Sequence, residues 1–229
     1  MDLLSVYQRL LNHFGPQGWW PAETPFEVIV GAILTQQTAW ANVEKAIQNL
    51  KRQGLLDVHA LATASLGRIE ECVRCTGFYR QKAARLADVS RYLAEKWGGD
   101  LDRFFAQPLE EARKELLALK GVGFETADSI LLYAGGKPIF PVDAYTVRMC
   151  RCLGIEAEGY EELRAYFEER LPRDVELYKE FHALIVELGK NYCRKNDPRC
   201  SECPLSPARA DKPAKSSSAP RRTPLRSRL

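Results

Sequence analysis

Asp143 is the side chain in this 229-residue chain best placed for charge-stabilising or acid–base chemistry. It follows Pro141 and Val142 and precedes a helical run, so a stiff connection aims it. A carboxylate held in this way stabilises positive charge on a reactant and orients or deprotonates a water. It is also what a helix N-cap calls for. Upstream, Leu119-Lys120-Gly121-Val122-Gly123 makes a tight turn that opens an apolar helix. Backbone N–H groups at such a helix start grip an anion, glycine admits a phosphate with no Cβ in the way, and Lys120 adds charge. An ordinary helix–helix turn has the same composition, so the turn gains meaning only from its company. Glu125 falls in the first turn of that helix, where the dipole favours an acid whatever its chemistry.

A second group is aromatic. Gly18-Trp19-Trp20-Pro21 sets two tryptophans side by side near the N-terminus, and Trp40 follows the polar stretch Thr35–Ala39. Adjacent side chains diverge, so one tryptophan is expected to pack while the other faces a cavity. A base stacked on an aromatic face gains roughly 1–3 kcal/mol. A positively charged base gains about 0.5–2 kcal/mol more from cation–π attraction. Core packing is the competing explanation for Trp20.

The scaffold implied by the pattern is all-α. Leu3, Leu4, Tyr7, Leu10, Leu11 and Phe14 follow helical spacing, as do Phe26, Ile29, Val30, Ile33 and Leu34. Further helices are predicted over Trp40–Arg52, Tyr79–Trp97, Leu109–Leu117, Thr126–Tyr133, Ala144–Leu153, Tyr160–Leu171 and Val175–Leu188, separated by Gly and Pro punctuation. Lys137–Val142 is too proline-broken for a good strand. No stretch approaches the roughly 18 apolar residues of a membrane span, and Met1–Phe14 lacks the features of a signal peptide. Seven cysteines, three of them crowded near the C-terminus, suit a reducing cytoplasm better than a disulfide scaffold. Cys72, Cys75, Cys150 and Cys152 are read as packing residues. The formal net charge is +3, but residues 208–229 hold seven Lys/Arg against one acid, so the excess lies in a Pro- and Ser-rich basic tail expected to be disordered.

Several of these stretches occur in register in one known family. LKGVGFETA (Leu119–Ala127), VDAYTVR (Val142–Arg148), ILTQQTA (Ile33–Ala39), GFYRQKAARL (Gly77–Leu86) and the cysteines from Cys193 resemble the helix-hairpin-helix DNA glycosylase superfamily, whose best-known member is endonuclease III. The resemblance runs from about Phe26 to Cys203. It implies an enzyme that flips a damaged base out of double-stranded DNA and hydrolyses the N-glycosidic bond. Asp143 would be catalytic, Lys120, Gly121, Val122 and Gly123 would hold a backbone phosphate, and Gln37 and Phe78 would fill the gap left by the base. Trp20, Pro21 and Trp40 match the base-sandwiching positions of the alkylation-repair branch typified by 3-methyladenine DNA glycosylase III. Lys190 is placed in the same cleft.

Two departures matter. Endonuclease III carries a Schiff-base lysine where this chain has Glu125, and a carboxylate cannot form a Schiff base, so a monofunctional glycosylase is expected. Cys193-x6-Cys200-x2-Cys203 matches three ligands of the family's [4Fe–4S] loop, but the fourth position is Arg209. The cluster is expected with three family ligands and a borrowed fourth; loss of the metal stays open. The expected architecture has two lobes: 22–135 as a central six-helix bundle carrying the hairpin, and 1–21 with 136–207 as a second lobe, followed by the tail. The protein is expected to act as a cytoplasmic, nucleoid-associated monomer that binds no membrane. Two alternatives stand beside this reading: an endonuclease III-like enzyme on oxidised or mismatched pyrimidines, with or without lyase activity, and a non-catalytic damage-binding hairpin protein.

Overall fold

The computed structural model describes residues 2–157 and 159–206. They form α1 (Leu3–Phe14), α2 (Pro25–Leu34), α3 (Trp40–Arg52), α4 (Val58–Thr63), α5 (Leu66–Val73), α6 (Tyr79–Trp97), α7 (Leu101–Ala106), α8 (Leu109–Ala118), α9 (Phe124–Tyr133), α10 (Ala144–Cys152), α11 (Tyr160–Arg170) and α12 (Val175–Asn191), with no strand among the described residues. The basic tail and Arg209 lie outside them. No helix among the described residues is long and apolar enough to cross a membrane.

Three helices form the centre because they are apolar nearly all round, and such helices must be enclosed by others. Phe26–Leu34 of α2 are all buried, as are Thr126–Tyr133 of α9 and Phe181–Val186 of α12. α9 packs against both α2 and α12. The start of α2 is a capping box: Thr24 Oγ1 accepts from Glu27 N (3.1 Å), and the Glu27 carboxylate reaches back to Glu23 N (3.1 Å). Pro25 sits in the first turn, where its missing N–H costs nothing. The other helices are amphipathic and turn one face inward: α1 lays Leu3, Val6 and Leu10 against α12, while α3, α4, α5 and α6 pack together around Val43, Leu50, Leu61 and Leu86. Between Pro25 and Tyr133 six of the eight helices reach eight residues or more; α4 and α7 are single-turn connectors.

A buried ion pair locks the hairpin helices. Arg113 of α8 donates Nε and Nη2 to the two oxygens of Asp128 on α9 (2.7 and 3.1 Å), and Nη2 also reaches Glu161 of α11 (2.7 Å). Tyr160 completes the set by donating its hydroxyl to Asp128 (2.8 Å). The connection Lys137–Val142 is extended but pairs with no strand. Side chains satisfy it instead: Glu168 accepts from Phe140 N (2.9 Å), and the Tyr160 hydroxyl accepts from Val142 N (3.3 Å). Buried Ile139, Phe140 and Val142 anchor it from below. Asp143 is thus delivered by a segment held at both ends.

Candidate active site

The buried helices end at one cleft of about 1150 Å³. α2 and α3 contribute its Thr35–Trp40 wall, α9 its first turn, α10 its N-terminus, and α12 its opposite wall. Asp143 lies at the start of α10 and is 8% exposed. Its Oδ1 accepts from Thr146 N (2.7 Å) and Thr146 Oγ1 (2.9 Å), so one carboxylate oxygen caps the helix. Its Oδ2 stands 3.7 Å from Nε2 of His182 on α12. His182 is buried; burial pushes its pKa down against the upward pull of Asp143, which keeps the imidazole neutral. Its Nδ1 pairs with the Tyr133 hydroxyl (2.8 Å). Among the described residues, His182 Nε2 and Trp20 Nε1 are buried polar atoms without a hydrogen-bond partner. Neither His182 nor Tyr133 was identified from sequence.

Glu125 also lines the cleft, in the first turn of α9. Its pKa is pushed up to about 7, first by the protein mass around it and then by the charge of Asp143. Its side chain is nevertheless open to solvent, so water moderates that cost until a ligand fills the cleft. Its helix-start position accounts for an acid at this point, and the two carboxylates also face one another electrostatically.

Trp19, Trp20 and Trp40 all border the cleft. Trp20 and Trp40 meet edge to face with ring centroids 5.4 Å apart, and Trp19 lies 6.4 Å from Trp40. Trp20 packs on Gly31 of α2, where a Cβ would come within 3.2 Å of the indole. The expectation that one of the adjacent tryptophans packs while the other faces the cavity is therefore corrected: both rings border the same opening. Pro21 is exposed and does not border the cleft, a correction to the sandwich expected from Trp20, Pro21 and Trp40. Tyr145 closes the floor against Gly189, whose lack of a side chain is required because a Cβ would overlap the ring. Lys190 borders the cleft, with Nζ 5.6 Å from the centre of the Trp19 ring, and Arg148, Arg194 and Lys195 complete a basic rim.

The hairpin turn lies between α8 and α9. Gly121 has φ +85°, a backbone that favours glycine, and the space beside it is taken by the Arg85 guanidinium. A Cβ on Gly123 would meet nothing within 4 Å, which leaves open space in front of the N-terminus of α9. Val122 is buried and Lys120 exposed. Gln36 ties this turn to α2, donating to Gly121 O (3.2 Å) and Thr126 Oγ1 (3.0 Å) and accepting from Arg85.

Gln37 and Phe78 share a rare conformation for residues with side chains, with φ of 54° and 46°. Such left-handed residues cost about 1–3 kcal/mol each and persist only where their surroundings impose them. Phe78 is 62% exposed, so core packing does not explain it. Buried Lys82 links the two segments: its Nζ donates to Leu34 O (2.9 Å) and Thr76 O (2.8 Å), a few residues ahead of Gln37 and Phe78. Its burial was not legible in the sequence.

Of the cysteines, Cys72 and Cys150 are buried, whereas Cys152 is exposed, so the packing role expected for Cys152 is corrected. Cys193, Cys200 and Cys203 lie on the loop after α12, the last two bracketing a short 3-10 turn.

A hairpin with open space before α9, a capped carboxylate beside a neutral imidazole and an aromatic cleft are parts that a helical base-excision enzyme needs. The sequence matches the HhH-GPD superfamily of base excision DNA repair proteins over residues 30–173, and the chain belongs to that superfamily. Its enzyme class is the DNA N-glycosylase. A Methanocaldococcus jannaschii protein provisionally assigned as a DNA repair glycosylase is 47% identical over 208 residues, 89% of this chain and 93% of that protein. Endonuclease III of Thermotoga maritima is 33% identical over 180 residues, 78% of this chain and 79% of its own. The crystal structure of the H. pylori 3-methyladenine DNA glycosylase MagIII, bound to 1,N6-ethenoadenine, superposes with a TM-score of 0.72 at 33% identity, covering 83% of this chain and 98% of that one.

Proposed function

We propose that the protein is a monofunctional DNA glycosylase that takes a positively charged, alkylated purine out of duplex DNA and releases it by hydrolysis. The observation that carries this reading is the meeting, in one cleft, of three tryptophans with Asp143 and Glu125, with an acid at the position of the family's lyase lysine. An alkylated purine is already a good leaving group, so the enzyme need not protonate it. It must hold a cation and stabilise the positive sugar left behind. Aromatic faces serve the first need and the free oxygen of Asp143 the second. A neutral His182 beside that oxygen leaves the carboxylate's charge uncancelled. Trp20 is anchored for that role by its packing on Gly31, with Nε1 buried there.

Extracting a base costs a few kcal/mol. The hairpin at Lys120–Gly123 offsets part of that cost by gripping a phosphate, with Lys190 and the basic rim adding charge attraction. Gln37 and Phe78, held in strained backbone on linked segments, are suited to enter the duplex where the base has left. Water, drawn up by Asp143, then attacks the sugar. The protein acts as a monomer on double-stranded DNA in this reading.

The likeness to endonuclease III favours a second reading, release of oxidised or mismatched pyrimidines. A panel of duplexes bearing one lesion each, with borohydride present in parallel reactions, tests both. The expected result is release of 3-methyladenine and no covalent protein–DNA adduct on abasic DNA. Preferential release of thymine glycol, or a trapped adduct, would overturn the proposal. Binding without release of any base would leave only a damage-binding protein.

A further inference from the structure

We propose that Cys152, at the end of α10, supplies the fourth thiolate of an iron–sulfur cluster whose other ligands are Cys193, Cys200 and Cys203. The inference rests on the cluster reading of the C-terminal loop, and the experiment below separates the failure of one from the failure of the other. That loop offers three thiols, and the position where a fourth ligand is expected holds Arg209, which cannot replace a thiolate. Cys152 comes from 41 residues earlier in the chain, yet its Sγ lies 3.8 Å from Sγ of Cys193.

Three further observations support the assignment. Cys152 is exposed on the loop side of α10, so burial in a core does not explain a thiol there. Arg148 lies one turn earlier on the same helix face, and its Nε donates to Cys193 O (3.0 Å), which fastens the cysteine loop to α10 beside Cys152. The guanidinium also sets a positive charge next to a group of thiolates that needs one. Cys200 and Cys203 bracket one 3-10 turn closed by Cys203 N donating to Cys200 O (3.3 Å), and Arg199 N donates to Tyr192 O (2.9 Å), which ties the start of that turn to the residue before Cys193. The backbone of the loop and the end of α10 therefore bring the four cysteines to one corner of the fold. Among the described residues no three His, Cys, Asp or Glu side chains gather closely enough to hold a single metal ion. The thiols take up a preformed [4Fe–4S] cluster by ligand exchange: each loses its proton and forms one Fe–S bond as the bond to a carrier ligand breaks, with no net electron transfer; in reconstitution four ferric ions and four sulfides assemble with an added dithiol as the two-electron reductant.

The test is iron content, visible absorbance and colour retention under a chelator, for the full chain purified and reconstituted without oxygen. Wild type is expected to be brown with about four iron atoms per chain. Cys152→Ser should lose more than half of the iron and bleach at least several-fold faster, with an unchanged helical circular dichroism spectrum. Cys75→Ser, outside the site, should match wild type. Adding Arg209→Cys to Cys152→Ser should restore iron. Wild type without iron, whether or not Cys152 and Cys193 are found oxidised together, would overturn the cluster and the inference with it. An iron-loaded wild type with an equally loaded, equally resistant Cys152→Ser would overturn the role of Cys152 alone.

Discussion

At the scale of single residues, Asp143 does two jobs with two oxygens. Oδ1 closes the start of α10 and Oδ2 is left for the cleft. Its neighbour Glu125 is the clearest titrating group of the site. A carboxylate whose folded pKa rises from 4.5 to about 7 binds a proton in the folded state that the unfolded chain has already released. Stability should therefore fall as pH rises from about 4.5 to 7, and Glu125→Gln should flatten that decline in denaturant midpoints. An unchanged decline in the variant would show that the folded protein does not raise the Glu125 pKa. Sequence reasoning reached Asp143, Trp20 and Trp40 because motif and spacing mark them. It missed His182 and Tyr133, which sit inside apolar helical runs and become neighbours of Asp143 only through packing of α9, α10 and α12.

At the scale of elements, the hairpin depends on Gly121 and on the ion pair beneath it. Gly121→Ala should cost about 1–2 kcal/mol from its left-handed backbone, with the flexible Arg85 side chain moving aside for the new Cβ. Duplex affinity should fall for damaged and undamaged DNA alike, because the turn is read here as a grip on phosphate. Asp128→Ala should destabilise by up to about 3–5 kcal/mol in urea unfolding, since it removes two of the three carboxylate bonds of the buried Arg113 and leaves it Glu161 alone. A loss under 1 kcal/mol would contradict the role given to that pair. The long helices were legible from apolar spacing: α3 and α6 start and stop where the pattern does. α4, α5 and α7 were not, because six to eight residues hold too few turns for a period to emerge. The extended approach to Asp143 was read correctly as no strand, but its tether through Tyr160 and Glu168 comes from a helix whose position only the fold determines.

At the scale of the whole molecule, charge is arranged rather than abundant. The chain carries a formal +3, while Arg148, Lys190, Arg194 and Lys195 gather on one side of the cleft. Duplex binding should weaken with salt, and neutralising Lys190 or Lys195 should lower the log–log slope by about 1 each if each meets a phosphate. An unaltered slope would place DNA elsewhere. The central claim is that the Asp143 carboxylate stabilises the sugar from which the base departs, and Asp143→Asn tests it most directly because asparagine caps a helix about as well as aspartate. In single-turnover assays on duplex DNA carrying 3-methyladenine, base release should fall by roughly 10²–10⁴-fold while binding to an abasic-site analogue persists. Release at the wild-type rate by a folded, DNA-binding Asp143→Asn protein would contradict the account.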